Sequence, residues 1–262
     1  MAPGWRGGAA AYRPLSDNGE VALYRDEAIV LRTQKLGEAD RIITLLTREH
    51  GRVRAVARGV RKTSSRWGSR LEPFTHVDLQ IAEGRTLDVV TQAETRAPYG
   101  SGLGGDYERY TAGTAMLETA ERLASEDKQP MLQQFLLLVG GLRAMAAGEH
   151  AASQVLDSYL LRSLAVAGYA PSFDHCVRCG DEGPHKWFNP SAGGVMCVDC
   201  RLPGSATPAS ATVAVLGALL AGDWAVVHAA EPRHLKEASG IVAAYLAWHL
   251  ERGLRSLAYV ER

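Results

Sequence analysis

Two Cys-x-x-Cys pairs, Cys176-Val-Arg-Cys179 and Cys197-Val-Asp-Cys200, constrain this chain more than any other feature. Seventeen residues separate Cys179 from Cys197, and these four are the only cysteines. That spacing matches a tetrahedral four-thiolate zinc site. Gly180, just after the first pair, lets the backbone fold around a sulfur. Disulfides would need an oxidising compartment, and a redox Cys-x-x-Cys normally stands alone beside a βαβ pattern that this sequence lacks. A catalytic zinc keeps one position open for water, whereas four thiolates fill the shell. The expectation is one structural Zn2+ on Cys176, Cys179, Cys197 and Cys200. His175 and His185 stand close enough to substitute as ligands, the alternative being ordinary loop residues. Binding would supply on the order of 10 kcal/mol of local folding free energy to a loop with little core of its own.

The 262 residues suit one large or two small domains, and a hydrophobic fraction of 46% suffices for packed cores. Lys+Arg and Asp+Glu number 29 each, for a net charge of zero. That average hides a segregation. Between Arg48 and Arg70 stand eight basic residues (Arg48, Arg52, Arg54, Arg58, Arg61, Lys62, Arg66 and Arg70) and one acid, Glu49, so the window carries +7 and the remainder −7. One-signed charge at that density points to a polyanion partner. The apolar runs Phe135–Val139 and Val213–Leu220 are of helix-core length, short of a membrane span. A cytoplasmic location follows as an expectation.

Residues 1–22 are rich in Gly and Ala without periodicity, so a disordered leader is expected there, and no apolar run after Arg6 suggests a signal peptide. Patterned sequence begins at Val21, which leaves open a second start codon near it. From 23 to 98 the pattern is β: Ala28–Leu31, Arg41–Leu46, Arg52–Arg58, Thr75–Ala82 and Thr86–Thr95, with turns at Leu36-Gly37-Glu38 and Glu49-His50-Gly51. Five short strands without a long helix between them predict a small barrel of the OB type. In the third strand Val53, Ala55 and Ala57 share one face, and Arg52, Arg54, Val56 and Arg58 the other. The loop from Arg58 to Arg70 adds Arg61, Lys62 and Arg66 around Trp67. Guanidinium groups that follow phosphates beside rings that stack on bases are what single-strand binding requires. The competing reading is a solvated charged loop, with Trp67 as its anchor instead of a stacking platform.

Gly100-Ser-Gly102-Leu-Gly104-Gly105 formally matches G-x-G-x-x-G. A dinucleotide site needs that motif inside a βαβ unit, but helix follows helix here, so 99–105 is expected to be a flexible linker. Residues 106–262 read as a helical domain. Asp106 is a plausible N-cap, with Tyr110, Thr114, Leu117, Ala120 and Leu123 at helical spacing. Pro130 is expected to open a second helix with Leu132, Phe135, Leu136 and Val139 inward, and His150–Val166 a third. Thr207-Pro208 and Pro232 are expected to open two more. Helices on both sides make the cysteine segment, about 172–204, an insertion into one bundle. The whole is an α+β multidomain chain.

The sequence resembles the bacterial RecO family of recombination mediators. The resemblance covers nearly everything after Val21 and rests on Tyr24–Leu31, Lys35-Leu36-Gly37-Glu38-Ala39-Asp40-Arg41-Ile42, Gly51–Gly59, Ser69–Phe74, the four cysteines and Arg255-Ser256-Leu257. Many members lack intact zinc ligands, so all four here imply the metal-bearing branch. The resemblance implies a DNA repair protein with an OB domain, a helical domain and an embedded zinc loop. It implies binding of single- and double-stranded DNA, annealing of complementary strands, contact with the acidic, apolar C-terminal tail of single-strand binding protein, and partnership with RecR in loading RecA. It implies no bond-making catalysis, and the sequence shows no Walker loop, paired-carboxylate motif or Ser-His-Asp constellation. The rival reading from the residues alone is a zinc-stabilised OB-fold RNA-binding factor.

Overall fold

A computed structural model describes residues 22–63, 65, 67–124, 126–250 and 254–261. All but the last residue of the expected leader lies outside these.

Five strands close on themselves: β1 (Leu23–Leu36), β2 (Asp40–Thr47), β3 (Gly51–Ala57), β4 (Thr75–Ala82) and β5 (Asp88–Pro98), in the order β1-β2-β3-β5-β4. The first half of β1 pairs with β4 and its second half with β2, so one long strand bends around the barrel. β3 and β5 run parallel at Ala55↔Asp88 and Val56↔Val89, and this connectivity is that of an OB barrel. The period-2 pattern fills the interior: Val53, Ala55 and Ala57 from β3 meet Val77, Leu79 and Ile81 from β4, all 1% exposed or less. Gly51 must be glycine, because a Cβ there would sit 1.7 Å from the Gln129 carbonyl oxygen.

A bulge between Val30 and Arg32 shifts the register of β1 against β2. The outer residues Ile29, Leu31 and Leu46, with Phe74, join the helical core. The barrel is therefore packed on the helices through an apolar face of its own.

The helices are α1 (Tyr99–Leu103), α2 (Tyr107–Leu123), α3 (Leu132–Ala147), α4 (Ala152–Val166), α5 (Ser210–Ala221), α6 (Trp224–Ala229) and α7 (Pro232–His249), followed by a 3-10 turn at Ser256–Tyr259. α4 is central: it packs on α2, α3, α5 and α7, and Val155, Leu156, Tyr159, Leu160 and Leu164 are buried as its periodicity predicts. Between α4 and α5 the cysteine segment folds around a small hairpin, β6 (Trp187–Asn189) with β7 (Gly194–Met196). Phe188 of the hairpin meets Tyr245 of α7 edge-on at 6.0 Å, so the insertion docks on the bundle.

Several expectations are corrected. The stretch 99–105 is no slack linker, because α1 buries Leu103 completely. Gly102 packs closely: a Cβ there would touch that of Ala146 at 3.4 Å. In α2 Tyr110 faces outward, 49% exposed, while Ala112, Ala115 and Met116 face in. In α3 Leu132 and Leu136 are exposed and Leu138 and Leu142 buried, because apolar residues ring that helix and periodicity cannot choose a face. Nor does Pro130 open α3, whose N-cap is Met131. Thr207-Pro208 does not open α5. The helix begins at Ser210, with the Ala209 N–H donating to Glu237 Oε2 at 3.3 Å, a cap supplied by α7.

Candidate nucleic-acid interface and thiol cluster

On an OB barrel the outward face of β2–β3 and the β1–β2 and β4–β5 loops form the usual ligand surface. Here the long β3–β4 loop is sewn onto the β1–β2 turn. Asp40 Oδ1 accepts from the Gly59 N–H at 2.7 Å, and Arg61 Nη1 donates to the Gly37 and Glu38 carbonyls at 3.2 and 2.9 Å. Gly37 makes the turn with φ +57°. The Leu36–Asp40 motif is thus a clasp that positions the cationic loop.

The residues singled out in the sequence do not act alike. Arg54 and Arg58 project from the outer face of β3 and its end, and Lys62 from the loop; all three are exposed, and their side chains make no ion pair or hydrogen bond among the described residues. Arg61 is exposed but occupied with the turn carbonyls. Arg70 is exposed, and Arg66 lies outside the described residues. Arg52 is paired: Nε donates to Asp127 Oδ1 at 2.6 Å and Nη1 to the Glu121 carbonyl at 3.5 Å. Trp67 is corrected as a stacking platform. It is 2% exposed in the barrel core, and its Nε1–H donates to the Arg58 carbonyl at 2.9 Å.

The partner of Arg52 comes from the α2–α3 connector. There the Lys128 N–H donates to the Arg52 carbonyl at 2.8 Å, and Lys128 Nζ lies 3.2 Å from both Glu83 and Asp88. Asp88 also accepts from the Tyr24 hydroxyl at 2.6 Å; burial, and then this bond, raise the Tyr24 pKa. Asp127 is 75 residues from Arg52 in sequence, so no local signal announced it.

The four cysteines converge. Their sulfurs all lie within 4.8 Å of one another, and Cys179 Sγ and Cys197 Sγ are 3.8 Å apart. A tetrahedron with metal–sulfur bonds of about 2.3 Å has edges of roughly 3.8 Å, so the set can hold one metal ion. The first knuckle closes through Gly180 N–H to the Cys176 carbonyl and Cys176 N–H to the Asp181 carbonyl, both 2.8 Å, with Gly180 at φ +77°. Burial pushes the Cys176 thiol up, but backbone N–H donors of Cys179, Cys197 and Arg178 outweigh it and bring the group down to about 6. The Cys200 thiol, hydrogen-bonded first to Cys197 and then to Cys179, is pushed up to about 12. Sulfurs this close share negative charge poorly unless a cation lies among them. His175 and His185 stay outside the cluster, engaged with Asp174 at 3.0 Å and the Asp181 carbonyl at 2.8 Å.

An OB barrel with a cationic outer face, fused to a helical bundle that carries a four-thiol cluster, defines an α+β multidomain protein. Family models described as Recombination protein O N terminal and Recombination protein O C terminal match residues 21–99 and 104–258. A protein of Nocardioides sp. named DNA repair protein RecO is 76% identical over 243 residues, spanning 92% of this chain and 100% of the relative. Relatives of the same name from Streptomyces griseus and Thermobifida fusca are 62% and 61% identical, each over 92% of this chain and 100% of the relative. The chain belongs to the RecO family of DNA repair and recombination proteins. No described helix is long and apolar enough to cross a membrane.

Proposed function

We propose that the chain binds single- and double-stranded DNA on the outer barrel face, anneals complementary strands and, with RecR, helps load RecA onto strands coated by single-strand binding protein. One observation carries this: Arg54, Arg58 and Lys62 stand together on the ligand side of an OB barrel, their side chains unpaired among the described residues, in a chain of a DNA repair family. Annealing needs no covalent step. Two strands repel through their phosphates, and a surface that neutralises both lets bases meet. The thiol cluster holds a structural zinc, supported by four thiolates at tetrahedral spacing and no open position. The tail of single-strand binding protein, apolar and acidic, fits the groove of about 430 Å³ between α3 and α4, where Leu136 and Val166 are exposed and Arg162 supplies a cation.

The test is annealing of complementary oligonucleotides coated with single-strand binding protein, with and without a chelator, alongside competition between matched DNA and RNA strands. Stimulated annealing with DNA preferred is expected. Equal or better RNA binding with no annealing would replace this reading by the RNA-binding one.

A further inference from the structure

Beside the barrel patch lies a surface that this reading does not use. A groove of about 640 Å³ runs between the barrel and α2, with Arg32 on one wall and Tyr110 and Thr114 on the other. It opens into a second hollow of about 410 Å³ lined by Tyr107, Tyr110, Tyr259 and Arg255. Tyr110, Thr114, Glu118 and Arg255 line both.

Three rings face solvent around that hollow: Tyr107 is 61% exposed, Tyr110 49% and Tyr259 64%. Grouped exposed aromatics mark a surface built to be covered. The place is built from below as well. Tyr110 rests edge-on against Phe74 at 5.5 Å, and Phe74 is 4% exposed. Gly113 leaves room for that ring, since a Cβ there would come within 3.1 Å of it. The one acid common to both hollows, Glu118, is already engaged: it accepts from the Ser256 N–H at 2.9 Å, the Ser256 hydroxyl at 2.6 Å and the Arg255 N–H at 3.0 Å, and pairs with Arg122. Arg32 and Arg52 are balanced by Glu121 and Asp127. The guanidinium of Arg255 has no ion-pair partner among the described residues.

The cationic barrel face, by contrast, has charges without an exposed large aromatic ring among the described residues, since Trp67 is in the core. We infer that a single nucleic-acid strand bound on the barrel continues through the interdomain groove and stacks bases on Tyr107 and Tyr110, with Arg255 on a phosphate. This rests on the proposed strand binding by the barrel. Continuity favours a strand over an acidic peptide, since Arg52 of the groove is two residues from Arg54 on β3 and Arg32 on β1 lies in register with Arg54 across Thr44 of β2. Rings over which bases slide suit sequence-tolerant binding.

The experiment is fluorescence anisotropy of the full chain with oligothymidylates of graded length, comparing wild type, Tyr107→Ala/Tyr110→Ala and Tyr107→Phe/Tyr110→Phe. Long oligomers should bind the Ala pair about tenfold more weakly and the Phe pair as wild type, since stacking needs the ring and not the hydroxyl. Oligomers short enough to fill only the barrel, and a base-free sugar-phosphate chain of equal charge, should not distinguish the three. Equal loss in both pairs, or no loss in the Ala pair, overturns the inference. So does an acidic apolar peptide whose binding needs the tyrosines while thymidylate affinity does not. Failure of the barrel reading looks different: every length would be insensitive to Arg54→Ala/Arg58→Ala/Lys62→Ala.

Discussion

Arg52 and Arg54 are two residues apart on one strand face, yet only one is available to a phosphate. Asp127 holds Arg52 at 2.6 Å, while Arg54 has no such partner among the described residues. Each phosphate contact contributes about 0.7 to the salt slope on single strands. Replacing Arg54, Arg58 and Lys62 together by Ala should therefore lower the slope by about 2, measured by anisotropy across a salt series. Asp127→Asn should steepen it by up to about 0.7, because one acid beside Arg52 is lost while the bond to the Glu121 carbonyl remains. A triple variant with an unchanged slope would place the interface elsewhere. Trp67 is a matter of stability. Trp67→Ala should cost about 3–5 kcal/mol, read as a lower midpoint in urea unfolding, through the cavity left in the barrel. Alternation on β3 made the inward and outward residues legible from sequence alone. Whether an outward cation was paired, or a loop aromatic turned inward, depended on groups far along the chain, and no local pattern encodes those.

At the scale of elements, polar contacts help to fix both the knuckle and the C-terminal turn. Cys197→Ser should abolish tight metal retention and lower the thermal midpoint, checked by metal analysis and melting of the same sample; a variant that keeps both would contradict a four-thiolate site. The 3-10 turn at Ser256–Tyr259 hangs on Glu118. Burial pushes that carboxyl up, but donors from Ser256 and Arg255 outweigh it and hold the group below its ordinary 4.5. A depressed folded pKa gives stability that is present above 4.5 and lost as the pH falls through the folded value. The turn should loosen on acidification, seen as faster amide exchange over 254–261, and Glu118→Gln should remove that pH dependence at a cost of about 1–2 kcal/mol. The cysteine spacing and the turn glycines declared their elements openly. The faces of α2 and α3 did not, because long apolar runs satisfy several helical phases and the packing partner selects one.

Across the whole molecule, two apolar cores meet where Ile29, Leu31 and Leu46 of the barrel enter the helical cluster. A barrel locked to the bundle in this way places its cationic face and the interdomain groove in a fixed relation, which a flexible linker would not. Zero net charge overall, with +7 between Arg48 and Arg70, confines the positive potential to one segment of the chain. The most direct test of that division of labour is the annealing rate of complementary strands, compared between wild type and Arg54→Ala/Arg58→Ala/Lys62→Ala at matched melting temperature. The triple variant should fall toward the rate of protein-free strands while retaining its metal and its midpoint. A triple variant that anneals as fast as wild type would contradict a barrel face that gathers strands.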